Sequence, residues 1–568
     1  MHHLISLERQ LWLTGAGLAY ELFIVMQLLS KNTMKKKRII ARLDIKGPNV
    51  VKGVQFECLR VMGKPAQLAE EYYLQGADEL LYLDTVANLY RRDNLLTIVH
   101  QASENIFIPF TVGGGIRTIE DIKALLLGGA ERVAINTAAV QNPSIISKAS
   151  RIFGSQCIVV SIEAKKKFDE TWEPYIDNGR QKTGLDAVTW ARRAEALGAG
   201  EIIITSVDRE GTKRGLDIGL IKAVSEAVSV PVIAAGGAGA LEDFFQCFKK
   251  TRADAVATAS LLHYKNYGIV EIKDYLHREM IPVRLVPNAK RIESNHGEEY
   301  NSDDYNKYTA KYNLDDYNKY TTKQIEEEYV DVGIRKSDIP ENYLNLSAAA
   351  DWEIGVIDYG INNVKSVVKS LEKLNQKVKR IIHPEELLKA RALVLPGVGA
   401  FREGMKALEE NGLIYPLLKR VAEGIPILGI CLGMQLFFTE SEEFGIHKGL
   451  NLIPGRVVPF KSPKEVKIAG YSVPHIGWNK LRQPARSSAP WSKDIFSTLS
   501  PESTVYFVHS YYPQTEREYV IATSAYGGQE FASIVQKKNV FGTQFHPEKS
   551  GEIGLKILQS FCNQQGGV

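Results

Sequence analysis

The chain is short of cysteine, of net charge and of uninterrupted apolar runs, and each shortage excludes a class of protein. Its five cysteines (Cys58, Cys157, Cys247, Cys431 and Cys562) are scattered over 568 residues, odd in number and never spaced C-x-x-C. That excludes a disulfide framework and a zinc site, and points to a reducing compartment. A net charge of +4 is small for this length and gives no general attraction for nucleic acid or an anionic membrane. One apolar run, LWLTGAGLAYELFIVMQLL at residues 11–29, approaches spanning length. Glu21 and Gln27 interrupt it, and an acidic group at mid-bilayer costs about 2.5–3.5 kcal/mol. No convincing small-residue cleavage site follows. Residues 1–33 therefore read as an extension ahead of a cytosolic start at Met34, and a cytoplasmic location is expected.

What is present is an ordinary globular composition, 44% hydrophobic and 24% charged, in a chain too long for one core. Residues 34–287 contain eight apolar runs, from RIIARLDI to AVATAS, each followed by an amphipathic stretch. Continuous Val/Ile runs of this kind are those of parallel strands, and eight of them predict a (β/α)8 TIM barrel. GADELLYLD (76–84) repeats as GAGEIIITS (198–206), and PFTVGGGIRTIEDI (109–122) as PVIAAGGAGALEDF (231–244), both at a spacing of 122. A half-length repeat predicts two half-barrels with equivalent sites across a pseudo-twofold axis. Residues 288–350 carry DDYNKYT twice, are polar and poor in aliphatic residues, and read as a linker. From 351 to 568 a second α/β domain with an open mixed sheet is expected.

In that second domain GICLGMQ sets Cys431 between glycines where a buried strand turns into a helix. Such an elbow exposes a nucleophile beside backbone N–H groups that stabilise an oxyanion. In FHPEKS, His546 and Glu548 supply a base and its orienting carboxylate. With these motifs the region resembles the class I glutamine amidotransferases, which hydrolyse glutamine through a cysteine thioester. The resemblance implies an oxyanion loop at PGVGAF, with Gly397 and Gly399, and contacts to glutamine at Leu432 and Gln435. HIGWN (475–479) and VHSYY (508–512) resemble the glutaminase subunit of imidazole glycerol phosphate synthase.

The barrel is similar to the cyclase subunit of the same family at VVKG (50–53), GGGIR (113–117), INTAAV (135–140), FGSQCIVV (153–160) and TGLDAV (183–188). The resemblance implies that ammonia travels through the barrel to a phosphoribulosyl aminoimidazole carboxamide nucleotide. Ring closure there releases imidazole glycerol phosphate and an aminoimidazole carboxamide ribotide, a step of histidine biosynthesis. A substrate with a phosphate at each end needs two cradles. Gly114 and Gly115 with Asn136 and Thr137 supply one, and Gly236 and Gly237 with Ala259 and Ser260 the other. Asp44 ends the first strand and Glu163 the fifth, which sets them opposite each other, and the resemblance implies that they act as an acid–base pair. The family pattern adds Lys52, Thr205 and Glu210 to the substrate site, and a charged channel gate of Arg38, Glu79, Arg132 and Glu201 at the strand beginnings.

Three positions depart from the pattern: Glu163 and Glu210 stand where the family typically has aspartate, and Ala235 where it often has serine. They leave open a second acceptor, such as an activated sugar amidinated for a surface glycan. Neither reading calls for a metal or a cofactor. The expected partners are small molecules and, within the chain, one domain docked on the other.

Overall fold

The computed structural model describes residues 35–85, 96, 98–99, 105–292, 354–360, 363–466, 468, 470–484, 499–500 and 503–563. The extension at 1–33, with its apolar run, and all of the linker beyond residue 292 lie outside them. Among the described residues no helix is long and apolar enough to cross a membrane.

Eight parallel strands form the barrel: β1 (Arg38–Lys46), β2 (Glu79–Asp84), β3 (Phe110–Gly113), β4 (Arg132–Ile135), β5 (Ile158–Lys166), β6 (Glu201–Ser206), β7 (Val232–Ala235) and β8 (Ala255–Thr258). Each pairs with the next, β8 pairs with β1, and the sheet closes on itself. Their inner residues, including Ile40, Leu81, Val159, Ile203 and Ile233, fill the interior as one cluster. The outward residues pack beneath the helices in a separate, larger cluster. Burial on both faces is why these strands read as apolar runs rather than alternating ones.

The repeat is structural as well as sequential. Asp121 accepts from the backbone N–H groups of Arg117 and Thr118, and Asp243, 122 positions later, accepts from Gly239 and Ala240. Both carboxylates therefore cap a helix that leads away from a glycine turn. Two antiparallel hairpins decorate the mouth, one with strands Asn49–Val54 and Glu57–Gly63 following β1, the other with strands Trp172–Ile176 and Gln181–Lys182 following β5.

The second domain holds a seven-stranded mixed sheet of β9 (Ile354–Ile357), β10 (Val378–Ile381), β11 (Ala392–Gly397), β12 (Ile427–Cys431), β13 (Val520–Tyr526), β14 (Gln529–Lys537) and β15 (Val540–Thr543). Its order is β10-β9-β11-β12-β15-β14-β13, parallel as far as β15 and antiparallel after it. This domain docks on the barrel face where the strands begin. Trp478 Nε1 donates to Asp78 O at 3.2 Å, the Arg284 guanidinium lies 3.8 Å from the Trp478 ring centroid, and Lys549 Nζ pairs with Glu131 at 2.9 Å. Lys290 N donates to Leu74 O at 2.8 Å, so the chain leaving the barrel first runs along its side.

Candidate active site

Cys431 ends β12 with φ 53° and ψ −107°, a left-handed backbone that a non-glycine residue holds only when its surroundings impose it. The neighbouring strand packs close against the turn that follows: a Cβ at Gly397 would sit 2.5 Å from Gly433 N. The thiol donates to Val508 O at 3.9 Å and accepts from Gln544 Nε2 at 3.6 Å. His546 Nδ1 lies 2.7 Å from Glu548 Oε1, and the imidazole also interacts with Cys431. Burial alone would lower the histidine pKa, but the charges of Glu548 and Cys431 outweigh it and hold it well above the usual value. Cys431, His546, Leu432, Gln435 and Gly399 line one cavity. Gln435 Nε2 is tied to Tyr511 O at 2.9 Å.

The barrel supplies part of that cavity's wall, through Glu131, Gln156 and Cys157. Gln156 Nε2 donates to Gly399 O at 3.5 Å, and Ala400 N donates to Ile152 O at 3.4 Å. The loop at 396–401 is thus held from the other domain.

Where the barrel strands begin, against the docked domain, lies a closed ring of buried charge. Arg38 reaches Glu79 at 2.9 Å and Glu201 at 2.5 Å, and Arg132 pairs with the same two carboxylates. All four residues are inaccessible to solvent, and Tyr506 of the second domain donates to Glu79 at 3.3 Å. Glu79 and Glu201 are one repeat apart, which explains how a single ring is built from both halves.

At the opposite mouth two cavities sit over the two half-barrels. One is lined by Gly114, Gly115, Asn136, Thr137 and Glu163, the other by Glu210, Gly236, Gly237, Ala259 and Ser260. Gly114 (φ +100°) and Gly236 (φ +90°) are equivalent: a Cβ would meet Asp84 O at 2.3 Å in the first and Ser206 O at 2.7 Å in the second. Glycine is required at both by close approach and by backbone sign.

Lys52 Nζ pairs with Asp44 at 2.8 Å and also with Glu210, while Arg42 Nε donates to Asp44 at 2.7 Å. Burial would raise the Asp44 pKa, but Arg42 and then Lys52 hold it well below the usual carboxylate range. Glu163 is different. Its Oε2 is buried and, among the described residues, has no hydrogen-bond partner, and burial pushes its pKa up to about 7 against the opposing pull of Arg42 and the Gly179 N–H. Thr205 is buried beside it, in register with Glu163 on β6.

Comparison with known proteins gives the same two parts. The family model described as "Histidine biosynthesis protein" matches residues 38–268, and that described as "Glutamine amidotransferase class-I" matches residues 355–564. A protein of Legionella pneumophila, "Imidazole glycerol phosphate synthase subunit HisF", is 59% identical over 211 residues, which are 37% of this chain and 100% of that protein. Its namesake from Nostoc sp. is 48% identical over 255 residues, 44% of this chain and 98% of the relative. The chain belongs to the imidazole glycerol phosphate synthase family. It is an enzyme in which a cyclase-type barrel and a class I glutamine amidotransferase share one polypeptide.

Several site residues of this synthase-family chain have no motif to announce them. Glu443 is buried in the glutaminase cavity with Oε2 accepting from Phe401 N at 2.6 Å, and burial pushes its pKa up to about 7. Arg42 lies inside an apolar run, and only its burial beside Asp44 marks it. Lys549 was visible in FHPEKS, but its partner Glu131 belongs to the other domain.

The buried ring carries a prediction. Its two guanidiniums and two carboxylates compensate each other in a site closed to solvent, so Glu201→Gln leaves two cations facing one anion. A loss of about 3–5 kcal/mol of stability is expected, read from denaturant unfolding of the full chain. Unchanged stability would mean that the ring charges are not mutually required.

Proposed function

We propose that the chain is a bifunctional imidazole glycerol phosphate synthase. Glutamine hydrolysed at Cys431 releases ammonia, which crosses the charged ring into the barrel. There it meets a phosphoribulosyl aminoimidazole carboxamide ribotide, and imidazole glycerol phosphate and aminoimidazole carboxamide ribotide leave. The observation that carries this reading is the alignment of parts. The Cys431 cavity abuts the starts of the barrel strands, the ring of Arg38, Glu79, Arg132 and Glu201 stands next, and two glycine cradles occupy the far mouth.

In the glutaminase, His546, oriented by Glu548, carries the proton that Cys431 gives up, and the sulfur attacks the carboxamide carbon of glutamine. The same imidazolium then protonates the departing nitrogen. Gln435 and Glu443 face the amino-acid end of glutamine, Glu443 as the acceptor for its ammonium group. The backbone at Gly399 and Leu432 serves the oxyanion. At the barrel mouth the cradles at Gly114–Gly115 and Gly236–Gly237 hold the two phosphates. Glu163, protonated near neutral pH, exchanges protons with the reacting centre, while Asp44 stays ionised.

The test supplies the ribulosyl substrate with glutamine, then with an ammonium salt, and measures imidazole glycerol phosphate by mass spectrometry. Product is expected from both nitrogen sources. Absence of product from either, with glutamine still hydrolysed, would overturn the reading. The longer Glu163 and Glu210 side chains favour the second reading in that event, an amidinated sugar as the product.

A further inference from the structure

Arg42 occupies a position that the reading above leaves unused. It stands on β1, is 2% exposed, and among the described residues is the one that lines both mouth cavities. Its Nε is committed to Asp44 at 2.7 Å, and its guanidinium lies 5.6 Å from the Phe56 ring centroid, within cation–π range. Nη1 is the exception. It is buried, ion-paired with Glu210 Oε2 at 3.6 Å, and among the described residues has no acceptor within hydrogen-bond distance. A buried guanidinium N–H held only by an ion pair at 3.6 Å keeps the capacity for one charge-assisted hydrogen bond, and at the junction of two cavities a bound molecule can take it.

The place of that ligand follows from the two cradles. They take the ends of a bis-phosphorylated molecule, so the atom that reaches Arg42 belongs to its middle. We propose that Arg42 is a substrate-contacting residue whose Nη1 donates to the carbonyl oxygen at the centre of the acceptor, the oxygen that gains charge when ammonia adds. The inference rests on the proposed function and names a group for its chemical step. In that step the nitrogen–carbon bond forms and the C=O π pair moves onto oxygen, where Arg42 stabilises it. Glu163 gives that oxygen its proton, and the added nitrogen returns one to the Glu163 carboxylate, so proton and charge balance. Arg42 is fixed for this task by Asp44 on one edge and Phe56 on its face, and needs no reorganisation when the charge develops.

The experiment follows the ammonium-driven reaction of the full chain with the ribulosyl substrate, for wild type, Arg42→Lys, Arg42→Met and Arg42→Ala. Lysine keeps a charge beside Asp44 but loses the planar fork, so Arg42→Lys as well as Arg42→Met should lose about 10²–10³-fold in kcat. KM should change far less. Inorganic phosphate, used as a competitive probe of the cradles, should inhibit all four proteins within about twofold of one another. Saturable recovery of Arg42→Ala by millimolar methylguanidinium is expected, and it separates lost chemistry from a misfolded mouth. Unaltered kcat in Arg42→Met overturns the inference, as does a loss of phosphate inhibition that parallels the loss of rate, or failure of methylguanidinium to restore Arg42→Ala. A wild-type chain inert toward the ribulosyl substrate overturns the proposed function instead, and this inference with it.

Discussion

Replacing Cys431 with alanine should abolish glutamine-driven synthesis, by about 10⁴-fold or more, and leave synthesis from an ammonium salt within about twofold of wild type. The size follows from the role. The cavity's other thiol, Cys157, has its pKa pushed up to about 12 by burial and sits on no such elbow, whereas Cys431 holds a left-handed elbow in the cavity that His546 also lines. The selectivity follows from distance along the fold. Cys431 lies on the docking side of the Arg38–Glu79–Arg132–Glu201 ring, whereas Asp44, Glu163 and the cradles lie at the strand ends. Glutaminase rate is read from glutamate release and synthesis from imidazole glycerol phosphate. Loss of both nitrogen sources in Cys431→Ala would contradict a separate synthase site. Survival of glutamine-driven synthesis would remove Cys431 from the chemistry altogether.

Glu163→Gln is expected to lower ammonium-driven kcat by about 10²–10⁴-fold, the usual range for a positioned proton donor. The wild-type rate, compared at constant free ammonia, should fall as pH rises through about 7, where burial has placed the Glu163 pKa. The glutamine variant should lose that limb. Wild-type stability should fall over the same range. The Glu163 pKa is raised from 4.5 to about 7 by folding, so its neutral form is favoured in the native protein. Its contribution is complete below about pH 4.5 and is lost as pH rises through 7. Above that, ionising a buried carboxylate costs on the order of 3 kcal/mol, an upper bound that solvent penetration reduces. Glu163→Gln should therefore gain on wild type in urea unfolding between pH 5 and pH 8. A difference that does not change with pH would mean that Glu163 titrates normally.

Much of the molecule was legible in the sequence because its signals are local or periodic. Buried parallel strands read as Ile/Val runs, and the 122-residue repeat exposes the half-barrels and pairs Gly114 with Gly236 and Glu79 with Glu201. GICLGMQ and FHPEKS announce the thiol and its base because an elbow and a short turn each need particular residues at fixed spacing. The carboxylate Glu163 was visible as a strand end, but its state was not. Nothing in CIVVSIEAKKK shows that Oε2 has no hydrogen-bond partner among the described residues or that Arg42 and Lys52 both bind Asp44 instead.

The sequence by itself determined the two folds, the family and the residue types of both sites, since strand period, turn chemistry and nucleophile spacing are properties of neighbouring residues. Only the tertiary structure decided how charge is shared at the mouth and across the docking face. Arg42 joins two cavities built by opposite half-barrels, Glu131 meets Lys549 from the other domain, and Gln156 reaches the Gly399 carbonyl. Each of these depends on burial and on partners far away in the chain. Burial and partnership set the protonation state of a carboxylate and the unmet hydrogen bond of a guanidinium, and neither is written in local sequence.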